Sequence, residues 1–345
     1  MGQVTDSHTL TDVLAEVEAW EPPTVAVGVT SAEGVLATHG PTDELLWFAS
    51  VSKPITAYGV LLASQQGELR LDEPVEIPSG HDGSHDGSPG SNSGHDGSPD
   101  GSPDGSPSRH DGSHSSPDDR PDGSPSGHGD RHSSPDDRHD THDDITVRHL
   151  LAHAGGLPLY AGGPRMPVER RRSYSDWAYE LLGDLVASRV GSTFEDHLDL
   201  EVFGPLGMTR TRLGGPAGHG VHGTLDDLLR FARELLAPTL LEPSLLAEAT
   251  SVAFPGLDGV VPGYGRHTPN DWGLGFELKG TKTDHWTGTR LSPRTFGHFG
   301  LSGSFLWVDP DRGLAAAELA DRQFGPWARE AWGPFNDRLV AAVAP

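Results

Sequence analysis

A serine and a lysine three residues apart, Ser50 and Lys53, form the pair in this chain that could do chemistry most directly. Side chains at this spacing share one face of a helix and can touch. A serine hydroxyl is a weak nucleophile at neutral pH, and a neighbouring amine can help to remove its proton. The apolar stretch 57–63 predicts a buried helix that begins near Ser50, where backbone N–H groups favour a developing negative charge. The pair also fits an ordinary helix start with a serine cap and a solvated lysine, so other motifs must decide.

Four stretches further along the chain carry polar residues in a distinctive order. The first is the box 145–158, which ends in the sequence His-Ala-Gly-Gly-Leu-Pro. The second is Tyr174-Ser175-Asp176, at the start of a predicted helix. The third, residues 223–231, has a helix cap followed by two acidic residues. The fourth, residues 297–303, has the sequence Gly-His-Phe-Gly-Leu-Ser-Gly and precedes a predicted strand hairpin.

In this order and spacing, the motifs closely resemble those of the serine β-lactamase-related family. This is the broad group around class C β-lactamases, D-aminopeptidases, penicillin-binding-protein-like hydrolases and family VIII esterases. The resemblance covers essentially the whole chain except residues 79–143. The His-Ala-Gly-Gly-Leu-Pro box and the joint order of the motifs make it specific.

The resemblance implies a role for each residue of the first two motifs. Ser50 would be the acylated nucleophile, and Lys53 its proton partner. Tyr174 would act as a phenolate general base or as a proton relay between the serine and the leaving group. A phenolate would require the phenol pKa of about 10 to fall, and a neighbouring ammonium such as Lys53 would lower it.

The fourth stretch would supply the substrate-binding edge of the site. His298-Phe299-Gly300 stands where the best-known members of the family have Lys-Thr-Gly and many relatives have His-x-Gly. The backbone N–H groups of Ser50 and Leu301 would form the oxyanion hole, and the loss of one such donor typically costs a few kcal/mol of barrier.

Two residues depart from the family pattern. Asp176 replaces the usual asparagine of the second motif, and a carboxylate cannot donate an amide hydrogen bond to a substrate carbonyl. His298 removes a permanent positive charge that would hold the carboxylate of a β-lactam or a D-Ala-D-Ala peptide. Both changes favour esters, amides or small lactones as substrates. Asp176 could also be a simple helix N-cap, Tyr174 an aromatic residue near that cap, and His298 a satisfied strand histidine.

Hydrophobic periodicity predicts the elements that would position these residues. Strands are expected over 24–30 and 34–38 near the start of the chain, and over 273–278 and 296–319 near its end. Helices are expected over 11–20, 145–152, 176–190, 225–236, 244–250 and 327–344. We therefore predict an α+β fold, with an antiparallel sheet built from both chain ends, flanked by helices, and a central, mostly helical lobe over roughly 145–250. This architecture matches the β-lactamase/transpeptidase-like fold that the resemblance implies.

Composition sets residues 79–143 apart from the rest of the chain. The segment is rich in Asp, Gly, Ser, Pro and His and contains no Val, Ile, Leu, Met or aromatic residue. Such a segment cannot bury apolar surface to offset its ordering entropy, so we predict a disordered insert in a single hydrolase domain formed by residues 1–78 and 145–345. Its histidines could also bind metal loosely, but no fixed spacing pre-organises a site.

Charge and cysteine content exclude several classes of function. The 345 residues include no cysteine, which excludes disulfides, thiolate metal sites and a cysteine nucleophile. The net charge of -25 disfavours nucleic acid and anionic membranes as partners. We see no secretory leader and no apolar run long enough to cross a bilayer, so we expect a cytoplasmic protein.

Three functions compete at this stage. The leading hypothesis is a metal-independent serine hydrolase that acts through an acyl-enzyme on a small ester or amide. The second is β-lactamase or D,D-peptidase activity with the same residues, and the third is a catalytically inactive binding scaffold with an acidic insert. No cofactor is expected. His149 and His153 are spaced like metal ligands but lack an evident third ligand, so no metal site is predicted either.

Overall fold

A computed structural model of the chain describes residues 9–78 and 144–343, and the predicted disordered insert, 79–143, lies outside the described residues. The described residues form eleven strands: β1 (Val25–Thr30), β2 (Val35–His39), β3 (Leu46–Trp47), β4 (Arg212–Leu213), β5 (Val221–Gly223), β6 (Gly259–Val261), β7 (Gly265–His267), β8 (Glu277–Leu278), β9 (Phe296–Gly300), β10 (Ser304–Asp309) and β11 (Leu314–Ala320). They also form nine α-helices: α1 (Leu10–Ala15), α2 (Ser52–Gln65), α3 (Val147–Leu151), α4 (Asp176–Val190), α5 (Phe194–Leu198), α6 (Gly204–Leu206), α7 (Leu225–Leu236), α8 (Pro243–Ala249) and α9 (Pro326–Val343). None of these nine helices combines the length and the hydropathy needed to cross a membrane.

Six of the strands form one antiparallel sheet, in the order β2-β1-β11-β10-β9-β8. β1 pairs with β11 along its whole length, from Val25 opposite Ala320 to Thr30 opposite Ala315. The sheet is therefore assembled from both ends of the chain, as the strand pattern predicted. The strands β3, β5 and β4 form a second, smaller sheet, and β6 and β7 form a separate hairpin.

Apart from the edge strand β2, which is exposed or half-buried, the main sheet is buried on both faces, and its side chains alternate between two apolar layers. Leu306 belongs to the layer that contains α2 and α7. Its neighbours Phe305 and Trp307 belong to the layer that contains α1 and α9. The helix α7 approaches β1 closely because Gly28 has no side chain, and a Cβ there would lie 2.6 Å from a methyl group of Leu229.

The helix α2, which follows Ser50, is buried on every side from Ser52 to Ala63. A helix that is apolar all round belongs in a core, and here it lies between the sheet and the helices of the central segment. A hydrogen bond of 2.6 Å from the Tyr58 hydroxyl to the Glu234 carboxylate ties α2 to α7. The catalytic pair predicted from the sequence is thus placed on a rigid element.

Two predicted elements are shorter in the structure. The helix predicted over 11–20 ends at Ala15 and continues as a 3-10 turn, Glu16–Ala19, because acidic side chains oppose the dipole at the C-terminal end of a helix. The strand predicted over 273–278 contracts to β8. Gly275 has a φ of +99° and packs against Ala57 of α2, so the chain makes a turn there and becomes extended only at β8.

Glu318, in the middle of β11, is a carboxyl group buried in the apolar core. Its neighbours across the sheet are Val27 and Phe305, both in the layer that contains α1 and α9. Neither carboxyl oxygen has a hydrogen-bond partner among the described residues. Burial therefore raises the pKa of Glu318 well above its usual range, so the group is held protonated in the folded protein.

Replacing Glu318 with glutamine should stabilise the protein at neutral pH but not in acid. Below the pKa of the unfolded chain, near 4.5, both states carry the proton and no stability is lost. As the pH rises above that value, the unfolded state ionises while the folded state stays protonated up to its raised pKa, and over this range the wild type loses up to about 1.4 kcal/mol of stability per pH unit. Urea unfolding from pH 4 to pH 8 should show that the free energy of unfolding of Glu318→Gln increasingly exceeds that of the wild type as the pH rises.

The control for this prediction is Glu68→Gln, which changes an exposed carboxylate at the end of α2. It should leave the free energy of unfolding and its pH dependence unchanged. A difference between Glu318→Gln and the wild type that stays constant from pH 4 to pH 8 would contradict the assignment of a buried neutral acid.

Candidate active site

Ser50 lies in a buried turn of 3-10 helix, Ala49–Val51, that runs directly into α2. The sequence predicted Ser50 at a helix start, and the α-helix itself begins two residues later. Ala49 has a φ of +47°, which is strained for a residue with a side chain. Such strain persists only where the surrounding structure enforces it, and it is typical of functional sites. The turn therefore holds the Ser50 hydroxyl at a fixed position.

Lys53 has no exposed surface, and its amine has three acceptors around it. It donates to the Ser50 hydroxyl over 3.3 Å, to the Gly218 carbonyl over 2.9 Å and to the Asp176 carboxylate. Burial lowers the pKa of Lys53, and the adjacent Asp176 carboxylate opposes that shift. Three acceptors match the three N–H donors of an ammonium group, which has no lone pair to offer. The resting site thus favours a charged Lys53 beside the serine.

Tyr174 contacts the predicted nucleophile directly, since its hydroxyl donates to the Ser50 Oγ over 2.8 Å. The Lys53 amine lies 4.7 Å from the centre of the Tyr174 ring. The sequence analysis expected Lys53 to lower the pKa of the Tyr174 phenol, and that expectation is wrong. Burial raises the pKa of Tyr174 well above its usual value, and the Asp176 carboxylate raises it further. A protonated phenol fits the relay role that the resemblance allowed and does not fit a resting phenolate.

His298 stands on the other side of the Tyr174 hydroxyl, in β9. Its Nδ1 lies 2.6 Å from the Phe299 carbonyl oxygen, which can only accept, so this nitrogen carries the hydrogen. The Nε2 atom, 3.4 Å from the Tyr174 hydroxyl, then has a free lone pair. Burial, reinforced by the Lys53 charge, lowers the pKa of His298 to about 4. The imidazole is therefore neutral near pH 7 and can accept a proton.

Asp176 is not the N-cap of α4. The cap is Ser175, whose hydroxyl accepts a hydrogen bond of 3.0 Å from the backbone N–H of Ala178. Asp176 is the first residue of the helix, and its carboxylate forms the ion pair with Lys53, largely shielded from solvent. Where the family's asparagine would present an amide to the substrate, this chain therefore presents a carboxylate already occupied by Lys53.

The remaining predicted residues, 299–301, lie at the end of β9, next to the turn that carries Ser50. Gly300 packs so closely that a Cβ would lie 2.6 Å from the Phe48 carbonyl oxygen. Phe299 lines the site, and its ring packs 5.0 Å from that of Phe324. Leu301 follows the strand with an exposed side chain at the mouth of the site. The oxyanion hole formed by the N–H groups of Ser50 and Leu301 stays a prediction.

A cavity of about 280 Å³ is lined by residues that sequence reasoning did not assign to the site and by six that it did: Ser50, Tyr174, Asp176, His298, Phe299 and Leu301. His153 is buried there, and its Nδ1 accepts a hydrogen bond from the backbone N–H of Ser175, so the Nδ1 lone pair is not free to bind a metal. Arg172 gives its guanidinium N–H groups to the backbone carbonyls of Asn270, Ala152, Ala253 and Phe254. Asn270 also lines the cavity, and its Oδ1 has no partner among the described residues. No group of three or more histidine, aspartate or glutamate side chains in the described residues could hold a metal ion.

Glu277, at the start of β8, forms the floor of the cavity within a buried charge cluster. Its carboxylate lies 3.4 Å from the Lys282 amine, 3.1 Å from the His285 Nε2 and 2.9 Å from the Trp286 Nε1. These partners outweigh burial and hold the pKa of Glu277 well below its usual range. The sequence offers little signal for this cluster, because its three ionisable residues stand in a polar stretch, 277–285, that matches no motif.

Comparison with known proteins gives a consistent result. The sequence model of the family described as Beta-lactamase matches residues 15–340. The chain is similar to a β-lactamase of known structure from Mycobacterium bovis, with 36% identity, a TM-score of 0.74, and coverage of 95% of this chain and 98% of that one. Two further structures share the fold: a mutant of simvastatin synthase from Aspergillus terreus (16% identity, TM-score 0.64, coverage 96% and 94%) and a D-stereospecific amidohydrolase from Streptomyces sp. (17%, 0.60, 95% and 98%). No curated protein matches the sequence.

Proposed function

Because the chain belongs to the beta-lactamase family, we propose that it is a serine hydrolase that acts through an acyl-enzyme on a small ester or amide. The observation that carries this proposal is the contact set of Ser50. Its hydroxyl lies 2.8 Å from the Tyr174 hydroxyl and 3.3 Å from the Lys53 amine, at a cavity large enough for a small molecule. This is the arrangement of nucleophile and proton-transfer groups that acyl transfer requires.

In the first step the Ser50 Oγ attacks the substrate carbonyl, and its proton must leave. At rest the Tyr174 hydroxyl donates its hydrogen to the Ser50 Oγ, so that hydrogen must first turn to the Nε2 of His298, 3.4 Å away. The Tyr174 hydroxyl then accepts the serine proton as its own passes to His298. The proton then returns through Tyr174 to the leaving group, so the pair works as a relay. The neutral imidazole has a lone pair free to accept the proton, and because burial lowers the pKa of His298 to about 4, the imidazolium is a strong acid that passes the proton on readily to the leaving group.

Lys53 acts in this scheme as a fixed positive charge and not as the base. The ammonium lies beside the Ser50 Oγ and stabilises the negative charge that develops as the proton leaves. Asp176 keeps the ammonium charged and in place by pairing with it. Water then attacks the acyl-enzyme, and the same relay removes its proton.

A β-lactamase is the second candidate, because the chain is 36% identical to a protein from Mycobacterium bovis described as one. A β-lactam carries a carboxylate that needs a cation in the site. Of the cations at this cavity, Lys53 is paired with Asp176 and Arg172 is bound to backbone carbonyls. The third possibility, an inactive binding scaffold, is disfavoured by the intact contacts among Ser50, Lys53 and Tyr174.

The test is a side-by-side assay of the purified full chain with p-nitrophenyl butyrate and a chromogenic cephalosporin. We expect ester turnover, with kcat/KM for the cephalosporin lower on the order of 100-fold, because its carboxylate would be buried without a partner. A fluorophosphonate should label the peptide that contains Ser50, as intact and peptide mass spectrometry would show. Fast cephalosporin turnover would favour the β-lactamase, and no turnover with no labelling would favour the scaffold.

A further inference from the structure

We propose that this site selects uncharged substrates with an apolar acyl chain longer than acetyl, and that an apolar rim around the cavity mouth covers that chain. The rim consists of Leu159, Tyr160, Val260 and Leu301. This inference rests on the proposed hydrolase function and adds the chemical class of substrate. Three features of the described residues carry it: the exposure of the rim, the contacts that hold each charged side chain at the cavity, and the cavity volume.

The rim side chains are apolar and yet exposed to solvent. Leu159, Tyr160, Val260 and Leu301 are 42%, 61%, 51% and 54% exposed, and they are four of the nine large apolar side chains that are exposed in the described residues. Single exposed apolar residues are ordinary on a protein surface, but a group around one opening indicates a binding surface. The four come from three separate segments, before α4, in β6 and after β9, that meet at this mouth.

The walls beneath the rim continue the same chemistry. Trp272, Phe299 and Phe324 face the cavity with Pro262 and Val261, so an acyl chain that passes the rim stays in apolar surroundings. Burial of each methylene contributes about 0.8 kcal/mol, which corresponds to about a fourfold gain in kcat/KM if the contact forms in the transition state.

The charged groups at the cavity are all committed to partners within the protein. Lys53 pairs with Asp176, Arg172 is bound to four backbone carbonyls, and Glu277 is held by Lys282 and His285. Two polar atoms there have no partner among the described residues, His153 Nε2 and Asn270 Oδ1. Neither group carries a charge, because burial lowers the pKa of His153 well below its usual value and an amide does not ionise. A charged substrate would lose its hydration, and each charged side chain there is already held in place by protein groups, so the site favours uncharged substrates.

The volume sets the size of the chain. A dry cavity of roughly 150 Å³ binds benzene, and this one, at about 280 Å³, is nearly twice as large. It lies near the lower end of the range for small-molecule sites. An acyl chain of about four carbons therefore fits inside, and the end of a longer chain, up to about six carbons, lies against the rim.

The first experiment measures kcat/KM for the p-nitrophenyl esters of acetate, butyrate and hexanoate. We expect a rise of about fourfold per methylene, or roughly 15-fold from acetate to butyrate, that levels off near hexanoate as the cavity fills. Mono-p-nitrophenyl glutarate, which ends in a carboxylate, should react about 100-fold more slowly than p-nitrophenyl pentanoate. A flat series, or glutarate within threefold of pentanoate, would overturn the proposal while leaving a Ser50-dependent hydrolase intact.

The second experiment uses rim variants and a matched control. Val260→Ser and Leu159→Ser should each lower the ratio of hexanoate to acetate activity by about three- to tenfold. Leu200→Ser removes a side chain that is 71% exposed but does not line the cavity, and it should leave the ratio unchanged. The ratio does not depend on the fraction of folded protein, so a variant that folds poorly still gives an answer. An unchanged ratio in both rim variants would contradict the proposed role of the rim.

A binding measurement separates this inference from the proposed function. Alkylboronic acids form tetrahedral adducts with an active-site serine without turnover, so calorimetry can compare methylboronic and hexylboronic acid. Hexylboronic acid should bind at least tenfold more tightly, and Ser50→Ala should abolish the difference. If no ester is hydrolysed but this preference is present, the hydrolase proposal fails and the acyl preference stands. Equal affinities, or no binding of hexylboronic acid, would overturn the acyl preference.

Discussion

Replacing Ser50 with alanine should lower kcat for p-nitrophenyl butyrate by on the order of 10⁴- to 10⁶-fold, because no other group in the site can form the acyl-enzyme. The Oγ is the atom that Tyr174 and Lys53 both contact, so its loss leaves a relay and a fixed charge with nothing to activate. Steady-state assays of wild type and variant, with fluorophosphonate labelling of both, would measure the effect.

The chain offers a matched control in the same helical turn. Ser52→Ala is the same chemical change two residues away, but the Ser52 Oγ accepts a structural hydrogen bond of 3.0 Å from the Val221 N–H and does not line the cavity. We expect Ser52→Ala to lose about 1–3 kcal/mol of stability, because a buried N–H is left unpaired, and to keep its activity per folded molecule. Ester turnover that survives in Ser50→Ala would refute the assignment of the nucleophile.

Replacing Lys53 with methionine should destabilise the protein by about 3–5 kcal/mol as well as inactivate it. The substitution keeps most of the side-chain volume but leaves the Asp176 carboxylate largely buried without a counter-charge. Activity should fall by roughly 10³-fold or more, since the fixed charge beside Ser50 is lost. Urea unfolding and ester kinetics on the same preparations measure both effects.

The double variant Lys53→Met/Asp176→Asn separates the two effects. An amide needs no counter-ion, so most of the lost stability should return while activity stays low. Asp176→Asn alone should cost less than Lys53→Met, because Lys53 keeps the Gly218 carbonyl as an acceptor. The pair is assigned wrongly if the stability changes of the two single variants simply add in the double variant.

The parts of the fold and site that could be predicted are those encoded locally or in motif order. Ser50 and Lys53 do contact each other, as their three-residue spacing predicted. The alternating pattern near the end of the chain predicted the hairpin of β10 and β11, and strands at both chain ends predicted the composite sheet. The β-lactamase/transpeptidase-like α+β fold and the family resemblance are both confirmed by the comparisons.

Contacts between distant segments account for what the sequence did not disclose. The ion pair of Lys53 with Asp176 joins residues 123 positions apart, so the sequence analysis treated Asp176 as a capping residue or as a carboxylate in place of the substrate-binding asparagine. The raised pKa of Tyr174 follows from complete burial beside that carboxylate, which no spacing reveals. Gly275 interrupts a predicted strand only because Ala57 of α2 lies against it.

Other elements lacked a distinctive local pattern. The hairpin of β6 and β7, which supplies Val260 to the cavity mouth, has strands of three residues each, too short for an alternation to stand out. The Glu277 cluster has no motif, and its partners Lys282 and His285 become significant only because they are buried together. Both features are products of tertiary packing and required the structure.

The pairing of β1 with β11 has a consequence for how the protein is made. β1 lies in the interior of the sheet between β2 and β11, yet β11 is the last strand in the sequence of the described residues. At roughly 5–20 residues per second, a ribosome needs about 15 to 60 s after β1 to reach β11. Ser50 and Lys53 emerge early in that interval, but His298 emerges near its end. During this interval β1 can pair with β2 on one side, but its other edge stays open, and the proposed active site can be completed only after β9 has emerged.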